Sequence, residues 1–189
     1  MKTIDLSVVN RGDLGKTGSK ALRASDMIPG VVYFNGEATH IAIPSKPLHK
    51  VLYSPEVYLI NLDVEGAPMQ VIVKSADFHP VTDATLHVEF MRVVADKTVI
   101  VSLPVKLVGN AVGAVKGGKL LQKLRKIKVR GLVNELPDSI EVDISPLDLG
   151  GTILVKEVDF KGIDVVSAAS SAIAAVEIPR SLRSTMAGK

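Results

Sequence analysis

The sequence predicts a mainly β protein with a few short helices, and three observations carry that prediction. Short apolar runs with period-two alternation recur between turn residues, the pattern of half-buried strands. The composition is 47% hydrophobic but only 4% aromatic, with no tryptophan, so the core is built from Val, Ile, Leu and Ala. The chain's 189 residues exceed the roughly 100–150 of a usual single domain, and the charge pattern changes near residues 92–97. Two β-rich domains are therefore expected, residues 1–95 and 96–180, followed by a mobile basic tail over 181–189, where periodicity stops after Pro179.

In chain order, strands are predicted over residues 3–9, 30–34, 39–43, 57–64, 69–74, 85–93, 98–108, 127–132, 139–143, 152–158 and 172–178. Asn35-Gly36 joins two of these runs as a tight hairpin, because both residues tolerate the positive φ such a turn demands. Glu65-Gly66 marks a second turn. A helix fits 45–53, where Ser45 can cap, Pro47 suits the first turn, and Leu48, Val51 and Leu52 fall at helical spacing. A second helix covers 18–24. There is no internal repeat.

The chain has no cysteine, which excludes disulfides, thiolate metal sites and a cysteine nucleophile. The first 20 residues lack the apolar centre of a secretion signal, and no run approaches the roughly 20 apolar residues that span a bilayer. A soluble cytoplasmic protein is expected. The net charge of +3 is small, but its distribution is uneven. Residues 1–23 carry Lys2, Arg11, Lys16, Lys20 and Arg23 against Asp5 and Asp13, whereas residues 1–96 as a whole are slightly acidic. From Lys97 to Asn134 there is no acid, and Lys116, Lys119, Lys123, Arg125, Lys126, Lys128 and Arg130 crowd into that window. Such clusters attract phosphate.

Candidate enzymatic motifs are incomplete. Gly113 to Gly118-Lys119 has phosphate-loop spacing, but Leu120 stands where a magnesium-binding hydroxyl is required, and a strand rather than a helix is expected soon after; a flexible glycine loop is the simpler reading. His87-Val88-Glu89 has the His-x-Glu spacing of zinc deaminases, whose chemistry also needs cysteines. A metal would need His40, His49 or His79 to converge. No Ser/His/Asp grouping stands out, and neither a cofactor nor a small-molecule substrate is indicated. The protein is expected not to be an enzyme.

Recognition motifs are better supported. Leu86, Val88 and Phe90 alternate with His87, Glu89 and Met91, so His87 and Glu89 project together from one strand face, as a base-reading pair would. A solvated strand face has the same pattern. Arg11, Lys16, Lys20 and Arg23 flank a Gly- and Ser-containing stretch whose backbone can approach phosphate, or which is a basic surface loop. Lys126, Lys128 and Arg130 alternate with Ile127 and Val129, a basic strand face that fits nucleic acid or solvent equally.

Read in order, the chain resembles the bacterial large-subunit ribosomal protein twenty-five family, in its longer two-domain form known as the CTC or general-stress type. In the first part the resemblance rests on Gly15-Lys16-Thr17-Gly18-Ser19-Lys20-Ala21-Leu22-Arg23, Ile28-Pro29-Gly30-Val31-Val32-Tyr33, His79-Pro80-Val81 and Leu86-His87-Val88-Glu89-Phe90. In the second it rests on Val101 to Val105, Gly109 to Gly113, Gly117-Gly118, Leu136-Pro137, Ile140 to Asp143 and Leu147 to Gly150. The resemblance implies an N-terminal β-barrel-like domain that binds the internal loop E region of 5S rRNA in the central protuberance, and a β-rich C-terminal domain. It implies RNA contacts at Arg11, Lys16, Ser19, Lys20, Arg23, Tyr33, His87 and Glu89. The family usually carries aspartate at the position of Glu89. Lys116, Lys119, Lys123, Arg125, Lys126, Lys128 and Arg130 are expected to touch other ribosomal RNA or a neighbouring large-subunit protein. The alternatives are a stress-linked protein whose second domain engages other RNA or protein partners and, far behind, a nucleotide hydrolase using the 113–119 loop.

Overall fold

The computed structural model describes residues 1–64, 66–94, 97–160 and 162–179. The chain forms two compact units, one of Met1–Val99 with Leu132–Leu136, the other of Ile100–Gly131 with the chain from Pro137 onward.

The first unit runs β1 (Lys2–Asn10), α1 (Lys16–Ala24), β2 (Met27–Phe34), β3 (Glu37–Pro44), α2 (Ser45–Leu52), β4 (Tyr58–Val64), β5 (Ala67–Phe78) and β6 (Thr85–Arg92). Its six strands close into a barrel in the order β1-β3-β2-β6-β5-β4. Two pairings are parallel: β1 with β4, from Lys2 opposite Tyr58 to Val8 opposite Val64, and β2 with β6, from Gly30 opposite Val88 to Tyr33 opposite Met91. The seam that closes the barrel is short, since β1 meets β3 only at Val9 opposite Ala42 and Asn10 opposite Ile41. Alternate residues fill the interior, among them Leu6, Val32, Ile41, Ile43, Ile60, Leu62, Val71, Val88 and Phe90. Helix α2 contributes Leu48 and Val51 to the same core.

Local chemistry explains the path of the chain. The β2–β3 hairpin turns at Asn35 (φ 50°) and Gly36 (φ 91°), as the sequence predicts. Gly30 is closely packed: a Cβ there would lie 2.9 Å from Ile43 Cδ1, the movable end of that side chain, and 3.1 Å from the Val88 carbonyl oxygen. At the next turn the Asp63 carboxylate accepts a hydrogen bond of 2.9 Å from the Gly66 amide. Glu65 and the 181–189 tail lie outside the described residues.

The second unit contains β7 (Thr98–Val108), α3 (Val112–Val115), β8 (Lys119–Gln122), β9 (Lys126–Leu132), β10 (Ile140–Asp143), β11 (Thr152–Leu154), a 3-10 turn (Val155–Glu157), β12 (Asp164–Val165) and β13 (Ala172–Glu177). One sheet has the order β10-β7-β9-β12 and the other β11-β13-β8. Ala111, Ile144, Leu147, Ala174 and Val176 form a core cluster here.

Four local expectations are corrected. Helix α1 begins at Lys16, two residues earlier than predicted, because Gly15 supplies the positive φ of 124° from which the helix starts. Ser45 is the first residue of α2 and makes no side-chain cap, since Pro44 occupies that position; the Ser45 amide donates to the Asp26 carbonyl. The predicted 152–158 strand stops at Leu154, where Glu157 folds back and accepts a hydrogen bond of 3.1 Å from the Leu154 amide. The expected flexible loop at 113–119 is a packed helical turn leading into β8.

Leu48 is fully buried against the barrel interior. Leu48→Ala should lower stability by about 2–5 kcal/mol in urea unfolding followed by tyrosine fluorescence, through lost burial and the cavity left behind.

Candidate nucleic-acid interface

Helix α1 is held on the barrel by two arginines. The Arg11 amide donates to the His40 carbonyl of β3 at 3.0 Å. Its guanidinium donates from Nε to the Asp13 carbonyl at 2.7 Å and from Nη2 to Ser19 Oγ at 2.8 Å, and Ser19 Oγ donates to the Gly15 carbonyl at 2.7 Å. At the other end of the helix, Arg23 clamps the Leu86 carbonyl of β6 through Nε (3.0 Å) and Nη2 (2.9 Å), one residue before His87. Each guanidinium carries five N–H donors, so both arginines retain donors for a ligand.

Lys16, Ser19, Lys20 and Arg23 fall at i, i+3, i+4 and i+7, one face of the helix. No residue of α1 is buried. Among the described residues neither Lys16 nor Lys20 has an ion-pair partner. The helix therefore presents cations that the fold does not neutralise.

A groove of about 460 Å³ lies between this helix and the barrel wall, lined by Arg11, Leu14, Gly15, Lys16, Ser19, Arg23, Val31, His40 and His87. The wall is built by register: His40 on β3 stands opposite Val31 on β2, Val31 opposite Glu89 on β6, and Glu89 opposite Ser75 on β5. His87 and Glu89 share the outer face of β6, about 7 Å apart along the strand.

Beyond His87, Glu89 belongs to a second small cluster. Ser75 Oγ donates to Glu89 Oε2 at 2.8 Å, and Lys74 Nζ lies 3.5 Å from the same oxygen. The Ser75 hydrogen bond, with the Lys74 charge behind it, holds the Glu89 carboxyl below its ordinary value of 4.5, while burial acts in the opposite sense. Lys74 Nζ also sits 4.8 Å from the Tyr33 ring centroid. Tyr33 thus joins the Glu89 cluster rather than the helix groove. A register shift between Val73 and Ser75 accompanies the turn of Lys74 toward this face.

Five of the eight predicted contact residues, Arg11, Lys16, Ser19, Arg23 and His87, line one groove. Lys20 lies beside it on the helix face, and Tyr33 and Glu89 stand on the adjoining strands. His40, Lys74 and Ser75 were missed. His40 alternates outward from Ile41, so its exposure was legible, but its place beside His87 depends on a β3-β2-β6 order that alternation does not reveal.

The basic window of the second unit is less uniform than its sequence suggests. Lys116 Nζ is bound to both carboxylate oxygens of Asp148 at 2.9 Å, which holds that carboxyl below its usual range, and Arg130 pairs with Asp164 at 3.6 Å. Lys119 is on β8, and Lys123 and Arg125 lie between β8 and β9. Lys126 and Lys128 project from β9 while Ile127 and Val129 are buried. The 113–118 amides are used internally: Gly113 donates to Leu147 and Gly118 to Gly113, each at 2.9 Å. A Cβ on Gly113 would lie 2.5 Å from the Asp148 carbonyl carbon, and one on Gly118 2.4 Å from Val176 Cγ1. These glycines serve close packing, and the turn has no free amide cradle for phosphate.

Cations, hydroxyls and imidazoles gather along one face of a β-barrel protein, the chemistry that suits a polyanion. Residues 6–90 match the model of the Ribosomal L25p family, and residues 98–180 match that of the Ribosomal protein TL5, C-terminal domain. The chain belongs to the ribosomal L25p family and is of its long, two-domain type. It is accordingly a structural ribosomal protein and not an enzyme. A relative from Porphyromonas gingivalis, named Large ribosomal subunit protein bL25, is 39% identical over 185 residues, 97% of this chain and 96% of the relative. Relatives of the same name from Phocaeicola vulgatus and Amoebophilus asiaticus are each 37% identical, covering 99% and 97% of this chain and 98% and 93% of their own lengths.

Because the folded-state Glu89 pKa is depressed, its contribution to stability is present above 4.5 and is lost as pH falls through the lower folded value. Ser75→Ala should move the Glu89 titration, followed by carboxyl NMR, up toward 4.5; an unchanged midpoint would show that Lys74 alone sets it.

Proposed function

We propose that this chain is a structural constituent of the large ribosomal subunit whose barrel binds 5S rRNA in the central protuberance. The observation that carries the reading is the α1 groove, where residues from the loop before α1, from α1 itself and from β2, β3 and β6 face one cavity of about 460 Å³. Lys16 and Lys20, unneutralised, serve as phosphate contacts. Arg11 and Arg23 combine phosphate contact with holding the helix in place. His87 and Glu89 read base edges or ribose hydroxyls, since an imidazole and a carboxylate offer directional hydrogen bonds that a cation does not. Tyr33, carrying Lys74 over its ring, supplies a sugar or base contact beside them. The large-subunit name shared by the relatives supports the ribosomal setting and the cytoplasmic location that follows from it.

A second contact is favoured by Lys126 and Lys128, which have no ion-pair partner among the described residues and lie on the exposed side of β9. With Lys119, Lys123 and Arg125 they form a surface for other ribosomal RNA or a neighbouring large-subunit protein. Lys116 and Arg130 contribute less, because their charges are already met by Asp148 and Asp164.

The test is binding of the full chain to 5S rRNA over a salt series. Lys16→Ala/Lys20→Ala should flatten the dependence of log K on log salt by about 2, at roughly 0.9 per phosphate contact. His87→Ala should weaken binding about tenfold with the slope unchanged. If both variants bind as the parent does, the groove is not the 5S rRNA site. Retained 5S affinity together with lost large-subunit retention in Lys126→Glu/Lys128→Glu would assign the second surface to another partner.

A further inference from the structure

Helix α2 buries Leu48 and Val51 and leaves Lys46, His49 and Lys50 exposed on its other side. With Tyr53 these residues fall at i, i+3, i+4 and i+7, a single stripe. The His49 and Tyr53 rings meet edge to face at 5.3 Å, and Tyr53 packs against Phe78 at 5.9 Å with the rings tilted by 54°. Yet Tyr53 is 56% exposed and Phe78 41%. The chain has only three tyrosines and four phenylalanines, and here it leaves two of these rings side by side in solvent.

The platform is fixed. Tyr53 Oη donates to the Asp83 carbonyl at 2.6 Å. The 79–84 turn beneath it is closed by the His79 amide to the Ala84 carbonyl at 2.8 Å and the Asp83 amide to the His79 carbonyl at 2.9 Å. His79 Nδ1 accepts from the Val81 and Thr82 amides at 3.3 Å each. Among the described residues Lys46 and Lys50 have no ion-pair partner. A rigid pair of exposed rings beside two unneutralised cations offers stacking for a base and attraction for its backbone, the combination that single-stranded nucleic acid requires. The position agrees: Phe78 stands opposite Thr85, and Asp77 opposite His87, so the platform adjoins the end of the strand that carries His87 into the α1 groove.

We propose that the Tyr53–Phe78 platform, with Lys46, His49 and Lys50, is a second RNA site that stacks an unpaired nucleotide, separate from the groove at α1. Lysine is depleted at protein–protein interfaces, whereas here Lys46 and Lys50 share the helix stripe with Tyr53, although the turn that holds Tyr53 also exposes Val81. The site goes beyond the 5S rRNA reading and does not depend on it.

The experiment follows amide and ring NMR signals of the labelled full chain as an unstructured mixed-sequence oligoribonucleotide of about ten residues is added, a length within the usual span of such sites. Shifts should centre on Lys46, His49, Lys50, Tyr53 and Phe78. Tyr53→Ala or Phe78→Ala should weaken binding about tenfold, Tyr53→Phe should retain it, and Lys46→Glu/Lys50→Glu should flatten the salt slope by at least about 1.4, the value for two single-strand contacts. The lysine variant touches no buried group, so its effect is separable from misfolding. Shifts confined to the α1 groove would overturn the proposal. So would oligonucleotide affinity unchanged in Tyr53→Ala with weakened retention on large subunits, which would assign the platform to a protein. His87→Ala reports on the groove separately, so failure of one site is distinguishable from failure of the other.

Discussion

Parallel pairing of β2 with β6 sets Gly30 close against Val88, where a Cβ at residue 30 would lie 3.1 Å from the Val88 carbonyl oxygen and would displace the end of the Ile43 side chain. The binding face depends on this contact. It places the outer residues of β6 beside those of β2 and β3, so that His87, Val31 and His40 form a continuous wall. It also brings the Leu86 carbonyl within reach of Arg23, which fixes α1 above that wall. A barrel closed elsewhere would separate the helix cations from the strand that carries the directional groups.

The electrostatics follow from where the fold leaves cations unpaired. The first domain is slightly acidic in sequence, but Lys16, Lys20 and Arg23 share one helix face while Glu89 is restrained by Ser75 and Lys74. Arg11 and Arg23 do two jobs with one planar group, holding backbone carbonyls with some donors and leaving others outward. Lysine could not replace either without losing the forked geometry. Such a site suits a folded RNA that supplies shape, since recognition then needs few phosphate contacts.

Strand existence was legible because alternation is a local signal, and most predicted strands match the structure within a few residues. The short elements were not. β8 and β12 have four and two residues, too few to establish a period, and α3 is a single turn inside a glycine-rich run. Residues of the candidate site were legible one by one, through charge, alternation and family resemblance. Their grouping was not: His40 and Lys74 acquire meaning only through strand order and a bulge. The basic window of the second domain shows the converse limit, since Asp148 and Asp164, distant in sequence, return to neutralise Lys116 and Arg130.

Hydrogen exchange of the full chain, alone and bound to 5S rRNA, tests the central claim most directly, because it locates the interface without altering any residue. The account predicts slowed exchange across residues 11–23 and along β6, with the second unit little changed. Protection confined to residues 119–130, with α1 and β6 exchanging as in the free chain, would contradict it and move the 5S rRNA site to the second domain.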